Sequence, residues 1–181
     1  MVLVTLWLVR HGDTEWSEQG RLCGWADPPL SEAGIEQAAK LHTRLRHRRF
    51  EGTWTSDLTR ASEFARLSFG EAQPDVRLRE IDFGDLEGKS WGDCDQETQA
   101  ALMRFEGFTA PGGESVETLQ ERVLGFLADV GTGNQLVFTH GGVIRLLQAL
   151  SGSGRPPRPG ELVVLDWPIR GEKSAENGSL K

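Results

Sequence analysis

The chain is poor in cysteine, short of positive charge and without a long apolar run. Of its 181 residues only Cys23 and Cys94 are cysteines. They lie far apart and form no Cys-x-x-Cys pair. Neither a disulfide framework nor a metal site is suggested, and both are expected as free thiols in a reducing cytoplasm. No apolar stretch approaches the roughly 20 residues needed to span a bilayer. The opening run from Met1 to Val9 lacks a basic start and a small-residue cleavage site, so it reads as a first strand rather than a signal peptide. Lys and Arg number 20 against 27 Asp and Glu, a formal net charge of -7. Such a chain has no global attraction for nucleic acid or an anionic membrane, and neither is expected as a partner. Any anion site must be built locally from a few positioned cations.

What remains is an ordinary globular composition, 38% hydrophobic and 26% charged, which excludes neither an enzyme nor a binding module. At this length one core is expected, in a single domain over residues 1–170 that is a monomer or homodimer. The polar stretch 171–181 is expected to be a flexible tail.

Val2 to Val9 is β-rich and apolar nearly throughout, as a strand buried on both faces should be. A loop with Gly20, Gly24, Pro28 and Pro29 follows. Ser31 is a plausible N-cap for a helix carrying Ile35, Ala38, Ala39, Leu41 and Leu45. The basic run Arg44-Arg46-His47-Arg48-Arg49 suits the end of that helix, where cations are favoured. Thr53 to Ser56 reads as a short strand, and Asp57 to Leu67 as a helix. Val76 to Leu78 reads as a weak strand, and residues 82–113 as irregular apart from a helix from Gln96 to Phe105. Ser115 heads a long amphipathic helix that Gly131 stops. Gln135 to Thr139 and Leu162 to Asp166 are strands on either side of a helix from Val143 to Leu150. Strands alternating with helices predict an α/β fold, a three-layer sandwich with a mostly parallel sheet.

Two histidines occupy matching places in this pattern. Leu8-Val9-Arg10-His11-Gly12 and Thr139-His140-Gly141-Gly142 each put an imidazole where an apolar strand ends and a glycine turn begins. In an open α/β sheet that edge is where ligands bind. A third strand end supplies Ser56 and then Arg60, one turn into a helix. Helix N-termini and arginines both favour an anion, arginine through paired donors to phosphate oxygens. The chemistry suggested is attack on phosphorus by a histidine.

The chain resembles the histidine phosphatase superfamily, the phosphoglycerate-mutase-like fold. Six blocks in the family's order carry the likeness. They are Leu8 to Thr14; Gly20-Arg21 with Gly24 to Ser31; Ser56 to Ala61; Leu78 to Gly84 with Leu86-Glu87-Gly88; Pro111 to Ser115; and Thr139 to Arg145. The resemblance implies that His11 is the nucleophile and forms a phosphohistidine. It implies that Arg10, Arg60 and His140 clamp the phosphoryl oxygens. Glu80 would protonate the leaving oxygen and then activate water. Ser17, Arg21, Gly24 and Gly141 would complete the substrate contacts, with no cofactor and no metal. A nucleophilic imidazole must be neutral, and nearby arginines disfavour its protonated form. A bound phosphate dianion favours the protonated form of a carboxyl beside it, as a general acid requires.

Competing readings exist. Asp82 is the alternative acid. A metal held by His11, His140 and Glu80 would look like a two-histidine-one-carboxylate site, but Arg10 and Arg60 would repel the cation. Within the family a mutase is the alternative to a phosphatase. The family's mutases carry an arginine pair in a longer insertion and a tyrosine shortly after the catalytic glutamate. This chain has no tyrosine, and between Gly88 and Pro111 its only cations are Lys89 and Arg104. Its second histidine is followed by Gly141-Gly142, as is common among the phosphatases. The size and the Phe105-Glu106-Gly107-Phe108 segment look like the α-ribazole-phosphate phosphatases, and sugar phosphates are the other expected substrates. Ser17 stands where many members place an asparagine. Selectivity is expected from Trp16, Arg21, Trp91 and Phe108. A non-catalytic phospho-ligand module is a further alternative, although such a module could lose His11 or Glu80 freely.

Overall fold

The computed structural model describes residues 2–152 and 154–169. The expected tail at 171–181 lies outside them. Five strands, β1 (Val2–Arg10), β2 (Gly52–Thr55), β3 (Gln73–Pro74), β4 (Gly133–Thr139) and β5 (Leu162–Ile169), form one sheet of order β3-β2-β4-β1-β5. The β3–β2, β2–β4 and β4–β1 pairs are parallel, and β5 runs antiparallel along the β1 edge. The α/β class and the mostly parallel sheet are therefore as the element pattern predicts.

Side-chain alternation explains the two covered faces. Val4, Leu6 and Leu8 of β1 and Val137 of β4 join one buried cluster, while Val9, Leu136 and Phe138 join the other. The first cluster is completed by α5 (Val116–Asp129), α6 (Gly141–Leu150) and α4 (Gln96–Arg104), and the second by α2 (Glu32–Leu45) and α3 (Thr59–Ser68). The opening strand is not buried on both faces throughout. Leu3 is 53% exposed, and Thr5 donates to the Asp166 carboxylate across the antiparallel edge.

Two helix starts are set by the residues expected, Ser31 and Ser115, and Asp95 sets a third. Ser31 accepts from the Gly34 N–H, Ser115 from Thr118 and Asp95 from Thr98, three N-caps that start α2, α5 and α4. Several expectations fail for local reasons. Val76–Leu78 is a turn of 3-10 helix, because the Asp75 side chain accepts from the Arg77 N–H and closes the turn. Asp57 does not begin α3. Its carboxylate pairs with Arg79, and the helix starts at Thr59. A short helix, α1 (Glu15–Glu18), interrupts the first loop, with Thr14 and Ser17 satisfying each other's backbone. Ile35 of α2 is 48% exposed and so is not in the core stripe. No helix among the described residues is long and apolar enough to cross a membrane.

The turn after β1 is held tightly against α2. A Cβ on Gly34 would lie 2.1 Å from the Asp13 carbonyl oxygen. In an exposed helix interior Gly→Ala stabilises by about 0.5–1 kcal/mol. Here the sign should reverse. Gly34→Ala is expected to destabilise by about 1–3 kcal/mol, the range for forcing atoms into a packed site, read as a lowered urea midpoint at unchanged slope. A raised midpoint would contradict this packing.

Candidate active site

The parallel strands bring their carboxyl ends to one edge. There His11 follows β1, Ser56 follows β2, and His140 follows β4 as the N-cap residue of α6. The two imidazole rings meet edge to face, centroids 5.0 Å apart. His11 Nδ1 lies 2.7 Å from the Gly12 carbonyl. A carbonyl can only accept, so Nδ1 carries the proton and a neutral ring presents a bare lone pair at Nε2. Arg60 Nε points at that Nε2, 3.3 Å away. Burial holds the His11 pKa well below 6.5, and the Arg60 and Arg10 guanidinium groups push it in the same direction.

Arg60 is wholly buried. Its guanidinium donates to the carbonyls of Gly24 at 2.5 Å and Ala26 at 2.7 Å and pairs with Asp27 at 3.2 Å. Asp27 also accepts from the Thr59 and Arg60 N–H groups at the start of α3. That helix terminus is therefore occupied by a carboxylate and does not offer the anion contact its position suggests. Gly24 enters this arrangement through its backbone carbonyl. Glu87 holds the same loop by accepting from the N–H groups of Gly24, Trp25 and Ala26.

Glu80 is 7% exposed and accepts from the Gly142 N–H through Oε2 at 2.9 Å and from the Ile81 N–H through Oε1 at 2.9 Å. A Cβ on Gly142 would lie 2.2 Å from the Glu80 carboxylate, so the second glycine of that pair makes room for the glutamate. Asp82, the alternative acid, instead accepts from the Gly84 N–H. Arg122 donates to the carbonyls of Arg77, Arg79 and Glu80 and is gripped by Glu114 through two hydrogen bonds.

Arg10 and His140 are the incompletely paired members. Arg10 donates to the Pro157 carbonyl at 2.7 Å, and His140 Nε2 lies 2.8 Å from the Ser56 hydroxyl. Arg10 Nε and His140 Nδ1 are buried with no partner among the described residues. Leaving a buried polar atom unpaired costs about 1–3 kcal/mol, and such groups mark places where a ligand completes the bonding. Burial, then Arg60 and His11, holds the His140 pKa well below its ordinary value.

These groups open onto a cleft of about 280 Å³. Arg10, His11, Glu80, Gly141 and Gly142 line it together with Thr14 and Ser17; Arg60 and His140 are wholly buried and do not line it, but both touch His11, which does. Ser17 does not extend freely toward the cleft. Its hydroxyl accepts from the Thr14 N–H and donates to Asp13. Arg21 lies at the mouth with one weak bond, 3.3 Å to the Gly88 carbonyl. The walls correct part of the selectivity reading. Trp91 lines the cleft, but Phe108 is 3% exposed within the core, and Trp16 packs over Gly88. Phe83, Leu102, Phe105 and Arg145 take the places assigned to them. Asp27, Glu87 and Glu114 lie inside the motif blocks with no role read for them, and Arg122 lies outside the blocks, since a charged residue that bonds backbone from afar has no local pattern.

Two imidazoles, two guanidinium groups and a carboxylate gathered at the carboxyl edge of parallel strands define an α/β protein with a histidine-centred cleft flanked by buried cations. The histidine phosphatase superfamily (branch 1) model matches residues 6–160, and the chain belongs to that superfamily. It is 38% identical over 156 residues to the adenosylcobalamin/alpha-ribazole phosphatase of Salmonella typhimurium, covering 80% of this chain and 77% of the relative. It is 35% identical over 162 residues to a 2,3-bisphosphoglycerate-dependent phosphoglycerate mutase of Parvibaculum lavamentivorans, covering 77% and 76%. The crystal structure of a phosphoglycerate mutase from Thermus thermophilus superposes with a TM-score of 0.85 at 43% identity, covering 92% of this chain and 95% of that one.

The two buried imidazoles predict a stability change with pH. Each folded-state pKa lies below that of an exposed histidine. Below about pH 6.5 the unfolded chain binds protons that the folded chain refuses, so stability is full above that pH and falls as pH drops. The expected slope is up to about 1.4 kcal/mol per pH unit for each imidazole. Urea unfolding between pH 7.5 and 5.5 should show this fall, and a His11→Asn/His140→Asn double variant should flatten it.

Proposed function

We propose that the chain is a phosphomonoester hydrolase that works through a phosphohistidine on His11 and needs no metal. The observation that carries this reading is the His11 ring itself. Its protonated nitrogen is fixed on the Gly12 carbonyl, its lone pair faces Arg60, and its charge is suppressed by burial. In the first half-reaction Nε2 bonds to phosphorus as the bond from phosphorus to the leaving oxygen breaks. Glu80, protonated, gives its proton to that oxygen. In the second half-reaction Glu80 takes a proton from water, the water oxygen bonds to phosphorus, and the P–N bond breaks to return a neutral His11. Arg10 Nε and His140 Nδ1 supply donors to the phosphoryl oxygens. When Ser56 donates its hydroxyl proton to His140 Nε2, Nδ1 bears the N–H that this contact requires. Guanidinium charge then does the neutralising a metal would otherwise provide.

Phosphoglycerate mutase-type transfer is the second reading, favoured by the relatives that carry that name. A mutase must shield its phosphoenzyme from water and grip a doubly charged acid. Here Arg104, one of two cations between Gly88 and Pro111, lies at grooves outside the cleft, and the chain has no tyrosine. Both points support hydrolysis, with α-ribazole phosphate or a sugar phosphate as candidate substrates.

Rapid quench with a ³²P-labelled ester in excess chelator should trap an acid-labile, base-stable phosphoenzyme. His11→Ala should abolish both label and turnover. Label that persists in that variant, or turnover that requires added Mg²⁺ or Zn²⁺, would sink the mechanism.

The general acid is tested by leaving-group dependence. Glu80→Gln should lower kcat/KM for alkyl phosphates by about 10²–10⁴-fold, the usual contribution of a positioned acid. For p-nitrophenyl phosphate, whose phenolate departs unaided, the loss should be much smaller. Equal losses for both would shift the assignment from Glu80 to Asp82.

A further inference from the structure

Arg145 joins two elements at the rim of the cleft. It rises from α6, the helix that His140 caps, and lines the cleft beside Arg10 and His11. Its guanidinium donates to the Leu102 carbonyl at 2.9 Å and to the Met103 carbonyl. Those two belong to the last turn of α4, where carbonyls have no partner within the helix. The Ala101 carbonyl is taken by the Phe105 N–H, so Arg145 caps the next two in order. The same guanidinium lies over the Phe105 ring, 4.6 Å from its centroid.

Phe105 is the one residue with a side chain, among those described, that has a positive φ, at 67°. That region suits glycine, and other residues persist there only where the surroundings impose it. The reward for the strain is the place of the ring. It is buried at 7% exposure, stacked under Arg145, and lines the cleft with Leu102. Phe83 and Trp91 complete an apolar wall over the polar floor. Arg145 is poorly placed to receive a second anion. Its two terminal nitrogens are turned to carbonyls and its face to a ring.

We propose that Arg145 is a specificity-determining positioning residue. By latching the C-terminal end of α4 to α6 it sets Leu102 and Phe105 as an apolar wall. The cleft then selects phosphomonoesters whose leaving alcohol carries a ring-sized apolar body. The proposal rests on the phosphomonoesterase reading and names the substrate class of the same cleft.

The test uses two alkyl esters whose alcohols have nearly equal basicity, 3-phenylpropyl phosphate and propyl phosphate, with p-nitrophenyl phosphate as the activity control. The wild-type protein should favour the phenyl ester in kcat/KM by about tenfold or more, the scale of discrimination an apolar pocket supplies. Arg145→Ala should bring that ratio close to one. Arg145→Lys, which keeps the charge but cannot cap two carbonyls and stack at once, should fall between. Phe105→Gly suits the backbone at φ 67° and deletes the ring, so it should lose the preference while keeping the turn. This variant remains informative should Arg145→Ala fail to fold. A merely structural role for Arg145 would lower both esters alike and leave the ratio unchanged, and that result overturns the proposal. A wild-type ratio near one, with p-nitrophenyl phosphate still hydrolysed, overturns it too and spares the phosphatase reading. No turnover of any of the three esters overturns the phosphatase reading itself.

Discussion

The buried guanidinium of Arg60 is the constraint on which the rest of the site depends. Taking such a charge out of water costs several kcal/mol, and the cost is tolerable only if each of its nitrogens finds an acceptor and a counter-charge lies near. Arg60 meets it with the Gly24 and Ala26 carbonyls, the Asp27 carboxylate and the His11 lone pair. The loop that supplies the carbonyls must therefore hold one shape. Glu87 fixes that shape by accepting from the loop's backbone N–H groups and from Phe83. The chain from Glu87 through the loop to Arg60 ends at Nε2 of His11. A buried cation has become the device that fixes an imidazole.

The same charge reinforces the protonation state that burial imposes on the site. Desolvation is the largest cause of the depressed pKa of both His11 and His140, and Arg60 is the next for each. Burial alone would disfavour an imidazolium without orienting the ring. The Gly12 carbonyl and the Ser56 hydroxyl each engage one ring nitrogen, and so determine which nitrogen is left for another partner: Nε2 of His11, which meets Arg60, and Nδ1 of His140, which has no partner among the described residues. Neutrality comes from the medium and direction from single hydrogen bonds. On the opposite side Arg122 does similar work for Glu80, binding the carbonyls of the chain that leads to it while Glu114 anchors Arg122 in turn. The Pro111-Gly112-Gly113-Glu114-Ser115 block is thus tied to Glu80 by architecture, although it contributes nothing to the cleft floor.

How much of this the sequence shows depends on the range of the interaction. Strand ends carrying His11 and His140 are legible because an apolar run meeting a glycine turn is a local pattern. So are the Ser31 and Ser115 caps, which bond three residues away. Val76–Leu78 misleads because a β-branched residue suggests a strand, whereas the Asp75 side chain closes a 3-10 turn. Phe108 misleads because a Phe-x-x-Phe segment does not say which ring reaches the cleft: both are buried in one core cluster, and Phe105 lines the cleft whereas Phe108 does not. The positive φ of Phe105 is likewise announced by nothing in the residue's identity. Asp27, Glu87 and Arg122 act across more than 30 positions on backbone groups, and such bonds leave no periodicity to read.

The two kinds of misreading have one physical origin. Arg10, His11, Gly141 and Gly142 of the cleft floor sit where the sheet topology forces them, because β1 and β4 run parallel and end at one edge whatever the loops do, while Thr14, Ser17 and Glu80 reach the floor from segments between the strands. Residues that shape the walls depend on how the long segment after Gly88 folds back, and that segment has no sheet to register against. It is fixed by side chains such as Arg145, which reaches from α6 to carbonyls at the end of α4. The strand-end part of the floor is thus a property of the fold and the walls a property of a few long polar side chains. The first can therefore be read from local motifs in the sequence, while the shape of the walls has to be read from the particular contacts of this chain.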